Sequence, residues 1–211
     1  MKYWFRLSIY LVVAAVFGTA SAGSFDDFFR AVARDDPRTV GALLERGFDP
    51  NALDDKGQLA LVLAIKEDSP KVVAVLLNHP AIKVDEANAN GETALMMAAL
   101  KGNVDLTKRL LERGGAVNRA GWTPLHYAAS GPEPALVALL LDRGAAIDAP
   151  SPNRSTPLML AAGYGSIDAA DLLLARGADA RLRNDKGIDA AEFARRAGRD
   201  ALAARLTRGR N

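Results

Sequence analysis

Thr123-Pro124-Leu125-His126-Tyr127-Ala128-Ala129 is the stretch on which the rest of the chain is patterned. It returns as Thr156-Pro157-Leu158-Met159-Leu160-Ala161-Ala162 and as Thr93-Ala94-Leu95-Met96-Met97-Ala98-Ala99. A fainter copy is Leu59-Ala60-Leu61-Val62-Leu63-Ala64-Ile65. The copies begin at 59, 93, 123 and 156, so they are spaced by 34, 30 and 33 residues. Thr123 and Thr156 suit the N-cap of a helix, where a side-chain oxygen can accept from an amide of the first turn. Pro124 and Pro157 then fall at the first helical position, where no amide hydrogen is needed. The Ala-Ala pairs add no bulk beyond Cβ and let neighbouring helices approach closely.

A second signal keeps the same phase. Leu43-Leu44-Glu45-Arg46-Gly47, Leu110-Leu111-Glu112-Arg113-Gly114, Leu140-Leu141-Asp142-Arg143-Gly144 and Leu173-Leu174-Ala175-Arg176-Gly177 all end alike. The glycine can take the left-handed conformation that closes a helix, and the arginine opposes the negative end of the helix dipole.

A period near 33 with a T-P-L-H-x-A core resembles the ankyrin repeat family, over nearly the whole chain after residue 24. The resemblance implies an all-α ankyrin-repeat solenoid of about six helix pairs, with β-structure confined to short finger hairpins. It implies a capping unit at 24–56, repeats at 57–90, 91–120, 121–153 and 154–186, and a final capping unit at 187–208. It also implies that His126 is structural, tying the threonine to the neighbouring loop. Met96 and Met159 hold the matching position in other copies, which no shared catalytic role would tolerate.

The first 22 residues read differently. Lys2 and Arg6 precede an apolar run from Leu7 to Phe17, and Ala20-Ser21-Ala22 follows as a cleavage site. That order is expected of a secretory signal peptide at 1–22. The run is shorter than the roughly 20 residues a membrane-spanning helix needs. With no cysteine in the chain, folding rests on stacking and not on disulfides. Removing Lys2 and Arg6 leaves 25 basic against 25 acidic residues. Residues 24–55 carry four basic and eight acidic side chains, and 181–211 carry nine and four. The expected location is the periplasm, by analogy with exported bacterial proteins of this family, and the expected state is a monomer.

Departures from the repeat are informative. Phe25, Phe28, Phe29 and Val32 make the face of a first helix, and Asp36-Pro37 and Ser69-Pro70 read as N-caps of second helices. Asn78-His79-Pro80 replaces the Arg-Gly ending, which puts His79 at a solvent-facing helix end. Gly115-Ala116-Val117-Asn118-Arg119-Ala120-Gly121 is three residues short, so a blunt turn is expected before Trp122. That would leave a notch beside Trp122, with Leu100 and Lys101 as its neighbours. Gly163-Tyr164-Gly165 is an inter-helix turn and lacks the strand and spacing of a nucleotide fingerprint.

Catalysis finds little support. Two histidines and no cysteine leave neither a nucleophile beside an oriented base nor the spacing of a zinc site. Carboxylates in open loops stay near their ordinary pKa values. The basic tail lacks the aromatic platforms of a nucleic-acid groove. No catalytic residue, cofactor or metal is therefore assigned, and neither nucleic acid nor a membrane span after signal cleavage is expected. The resemblance implies a protein-binding module that meets its partner on finger tips and inner-helix ends. Carried over by position, the candidates are Lys66, Glu67, Glu92, Leu100, Lys101, Trp122, Ser130, Ser155 and Tyr164. The role is that of an exported scaffold or accessory protein; the alternative is an inhibitor or immunity-type protein that occludes an enzyme or toxin.

Overall fold

The computed structural model describes residues 23–208, so the signal-peptide reading of 1–22 lies outside the described residues. Twelve helices and no sheet occur among these residues, and they fall into two compact units that divide between Ile82 and Lys83.

The first unit holds α1 (23–33), α2 (Pro37–Glu45), α3 (Ala60–Lys66) and α4 (Pro70–Asn78). Phe28, Phe29 and Val32 are buried, and Phe28 stacks on Phe48 with ring centres 4.2 Å apart. Asp36 caps α2 as its sequence suggests, accepting from the amides of Arg38 and Thr39 at 3.1 and 3.2 Å. Ser69 does not cap α4: its buried hydroxyl has no hydrogen-bond partner among the described residues. Asp35 does the work from the preceding helix pair, its Oδ1 accepting from the Val72 amide at 2.9 Å. His79 is half-buried and not simply solvent-facing; its Nδ1 accepts from the Ala81 amide at 3.2 Å.

The second unit repeats one plan four times. Its inner helices are α5 (Ala94–Leu100), α7 (Pro124–Ser130), α9 (Pro157–Gly163) and α11 (Ala190–Arg196), each of seven residues. Its outer helices are α6 (Val104–Glu112), α8 (Pro134–Asp142), α10 (Ile167–Ala175) and α12 (Asp200–Arg208), each of nine. Inner helices pack in the order α5–α7–α9–α11, burying Ala98-Ala99, Ala128-Ala129 and Ala161-Ala162 almost completely. Three outer helices close with the expected glycine at positive φ: Gly114, Gly144 and Gly177. The amide after each donates to the carbonyl five residues back, as in Gly115 to Leu110 at 2.9 Å and Ala178 to Leu173 at 3.0 Å.

One link joins each repeat of this unit to the next and fixes where the chain is short. Asp85 accepts from the Ala116 amide at 2.9 Å, Asn118 from Ala146 at 2.8 Å, and Asp148 from Asp179 at 3.1 Å. The sequence separations are 31, 28 and 31, so the three missing residues lie after Asn118. Fingers of full length close with one hairpin bond: Asp54 to Gln58, Asn88 to Glu92, Ser151 to Ser155 and Asn184 to Ile188, at 2.9 to 3.0 Å. The shortened finger makes no such bond. Arg119 instead reaches back to the Asp85 carboxylate at 3.0 Å and its carbonyl at 3.1 Å. The blunt turn expected there is present, and β-structure among the described residues is limited to the isolated bridges Leu53–Leu59 and Ala87–Thr93.

Three fingers place glycine at the residue before the hairpin closes, Gly57, Gly91 and Gly187, and Gly121 holds the same place in the shortened finger, all at positive φ. The exception is Arg154, held at φ +60°. A non-glycine residue there costs roughly 1–2 kcal/mol, whereas glycine costs about 0.4–1 kcal/mol in chain entropy. Arg154→Gly is therefore expected to raise stability by about 0.5–1 kcal/mol in urea unfolding. Gly165→Ala should do the opposite, because a Cβ there would overlap the Ala129 carbonyl oxygen. Crowding of that kind costs about 1–3 kcal/mol, and the same titrations measure it.

Candidate functional site

His126 sits at the centre of the second unit's inner surface, fully buried. Its Nδ1 accepts from the Thr123 amide at 3.2 Å and lies 2.9 Å from the Thr123 hydroxyl. With Nδ1 accepting, Nε2 carries the proton and donates to the Ser155 carbonyl on the next finger at 3.0 Å. The histidine thus joins a helix start to the following repeat, as the family resemblance implies. In the neighbouring copies methionine sulfur takes only the first half of this role. Met96 Sδ accepts from the Thr93 amide at 3.5 Å and Met159 Sδ from Thr156 at 3.4 Å. In those copies the threonine hydroxyl also caps its helix, accepting from the methionine amide at 3.3 and 3.4 Å.

Trp122 stands edge-on to the His126 ring, with centroids 5.3 Å apart and planes at 80°. It occupies the finger position held elsewhere by Gln58, Glu92, Ser155 and Ile188. Two adjoining hollows share Trp122, Leu160 and Tyr164. The larger, about 390 Å³, adds Ile188 and Phe193 and is rimmed by Lys186 and Arg196. The smaller, about 270 Å³, adds His126, Tyr127 and Ser130. The hollows open where the inner-helix end is small. Ser130 and Gly163 stand where other repeats carry Lys66, Leu100 and Arg196. Gly163 leaves room for the Phe193 ring, which would lie 2.9 Å from a Cβ there and would have to shift. Burial and the nearby Glu92 carboxylate push the Tyr127 hydroxyl up to about 12, so it stays protonated, 3.5 Å from that carboxylate.

The candidate residues fare differently. Lys66, Glu67 and Lys101 are exposed, as is Leu100 on the end of α5. Tyr164 is 69% exposed and edge-on to Phe193 at 6.2 Å. Trp122, Glu92 and Ser130 are half-buried, with Ser130 donating to the His126 carbonyl at 3.0 Å. Ser155 is 1% exposed, its carbonyl taken by His126 and its hydroxyl 3.4 Å from the Asn184 amide group. It belongs to the framework and forms part of the wall of the larger hollow. The notch beside Trp122 also differs from expectation: neither hollow is lined by Leu100 or Lys101, and both are shared with the following repeat. Sequence spacing placed the shortened finger but not the direction in which the indole lies. Ile188 and Phe193, which line the larger hollow, were absent from the candidates because their repeat reads as a cap.

Among the described residues no group of three or more His, Asp or Glu converges as metal ligands, and no helix is long and apolar enough to cross a membrane.

The sequence model of the family described as "Ankyrin repeats (3 copies)" matches residues 28–120 and 115–184, and the chain belongs to the ankyrin repeat family. It is 33% identical to the nuclear factor NF-kappa-B p105 subunit of Gallus gallus over 161 residues, 73% of this chain and 16% of that protein. The B-cell lymphoma 3 protein homolog of Mus musculus is 33% identical over 155 residues, covering 70% of this chain and 35% of its own length. The tyrosine-protein kinase Shark of Drosophila melanogaster is 30% identical over 181 residues, 83% of this chain and 19% of that protein. The chain thus spans about a third or less of these relatives. Ankyrin repeats generally mediate contacts between proteins, and that general role is this chain's as a family member.

Burial holds the His126 pKa below the ordinary 6.5. An unfolded chain takes up a proton near pH 6.5, whereas the folded chain resists it until lower pH. The contribution of His126 is therefore complete above about pH 6.5 and declines as pH falls toward the folded value. In urea unfolding at pH 7.5 and 5.0, the loss between the two should be smaller for His126→Met than for the parent chain. At pH 7.5 that variant should itself be about 1 kcal/mol less stable, from the lost bond to Ser155.

Proposed function

We propose that this chain is a non-catalytic, exported ankyrin-repeat scaffold or accessory protein that holds a partner protein on the groove of its second unit. The carrying observation is a pair of adjoining hollows walled by Trp122 and a largely exposed Tyr164. Tyrosine and tryptophan are among the residue types most enriched at energetic hot spots, and here they stand on short helices and fingers braced from both sides. His126, the residue most suggestive of chemistry, has both ring nitrogens engaged in the framework. Export rests on the order of basic residues, apolar run and Ala20-Ser21-Ala22 in the sequence.

Two measurements test this reading. Tyr164→Ala should keep its helical circular dichroism and lose a partner retained by the parent chain from an osmotic-shock extract, with affinity reduced roughly tenfold or more. Equal retention of that partner by the variant would remove the groove from the account. N-terminal sequencing of the cellular protein should begin at Gly23; a chain beginning at Met1 in the cytosolic fraction would overturn export.

A further inference from the structure

The charges around the groove are of one sign where they line it. We infer that its occupant is an extended peptide segment of a partner protein that carries an aromatic or large aliphatic side chain beside an aspartate or glutamate. The inference rests on the proposed function and specifies its ligand.

The apolar half of that requirement follows from the walls. Trp122, Leu160 and Tyr164 are common to both hollows, with Phe193 and Ile188 continuing the larger and Tyr127 the smaller. The two hollows adjoin across three shared walls, so successive side chains of one extended segment can enter both. The polar groups nearby are largely spoken for. Asn153 Oδ1 accepts from the Ser151 hydroxyl at 2.6 Å and the Ser155 amide at 3.2 Å. Asn184 Oδ1 accepts from the amides of Lys186 and Ile188 at 3.0 and 3.1 Å. Both hold their fingers in shape.

The charged half follows from what remains. The charged residues lining the larger hollow are Lys186 and Arg196, and no carboxylate lines it. Arg196 is shared with Glu192 at 3.0 Å, whereas Lys186 is exposed and makes no ion pair among the described residues. Arg154 lies between the lining residues Asn153 and Ser155, exposed and likewise without an ion pair there. It is the residue held at positive φ where the other fingers have glycine. A strained cation beside an aromatic groove is a functional signal, since strain tends to persist at sites of use. The finger tips of Arg154 and Lys186 are joined, with the Asp185 amide donating to the Asn153 carbonyl at 3.1 Å. Asp185 is on the same turn but does not line the hollow. Aromatics with cations also suit single-stranded nucleic acid, but two unpaired cations are few for a phosphate backbone.

The chain contains two tryptophans, Trp4 and Trp122, so the full-length Trp4→Phe variant makes Trp122 the only indole reporter. A phage-displayed library of random 12-residue peptides is panned on it, and the synthetic consensus is titrated by Trp122 fluorescence. The expected consensus places Asp or Glu within two positions of Trp, Phe or Leu. Lys186→Glu should weaken it roughly fivefold or more, and a peptide with Lys in place of the acid should regain affinity for that variant. Arg154→Gly should bind more weakly although it is more stable. A basic or charge-free consensus, no effect of Lys186→Glu, or tighter binding of oligothymidylate than of the consensus would overturn the inference. Should the library yield no binder, the partner captured from the osmotic-shock extract decides. Dependence on Tyr164 and Lys186 together supports the inference. Dependence on Tyr164 but not Lys186 overturns the acidic ligand and leaves the proposed function standing. Dependence on neither, or no captured partner, overturns both.

Discussion

A seven-residue helix cannot hold itself together in water, and every inner helix of this chain from α3 onward is of that length. Isolated helices shorter than about 12–15 residues are marginal even in favourable sequences. Each inner helix must therefore be held by its neighbours, which explains the residues that line its contacts. Alanine pairs bring α5, α7 and α9 close enough for side chains of one repeat to reach the backbone of the next. Gly165 carries this to its limit, where even a methyl group would strike the Ala129 carbonyl.

Close approach lets polar groups be satisfied across repeat boundaries. Asp35 caps a helix it is not part of, through Val72. Asp85, Asn118 and Asp148 each receive an amide from the following repeat. His126 donates to Ser155, and Arg199 of the last repeat donates to the carbonyls of Ala161 and Ala162 at the end of α9. An unpaired buried donor or acceptor costs about 1–3 kcal/mol, so losing one repeat also injures the next. This is the nearest-neighbour coupling that makes repeat proteins cooperate without long-range contacts.

What could be read from the residues was the part governed by local rules. Thr-Pro at a helix start and Arg-Gly at a helix end depend on backbone conformation within a few residues. The fold class, the helix starts and the short finger all came from them. Ser69-Pro70 satisfied the same local rule, yet its hydroxyl stays idle because an aspartate 34 residues earlier reaches the helix first. Ser155 held the right position for a contact residue but is buried by the histidine of the preceding repeat. Trp122 and Tyr164 are legible in the sequence as aromatics at contact positions, while Leu160 and Phe193 come from repeats whose approach no single-residue pattern encodes.

The local rules fail together around one place. Arg154 stands where the fingers want glycine, Tyr164 is a large exposed aromatic, and Ser130 and Gly163 withdraw bulk where other repeats present long side chains. Gly163 makes room for Phe193 of the next inner helix, whereas Arg154 brings no such gain. The other fingers have glycine at the place of 154, and the other inner helices end on Glu67, Lys101, Gly131 and Ala197 at the place of 164, none of them aromatic. Sequences depart from local consistency chiefly at functional or strained sites. Here the departures converge on a groove held in shape by framework bonds from His126 to Ser155 and from Asn153 to its own finger. A groove so held need not order its own walls when a partner arrives, and binding energy that would go into ordering them stays available for the contact.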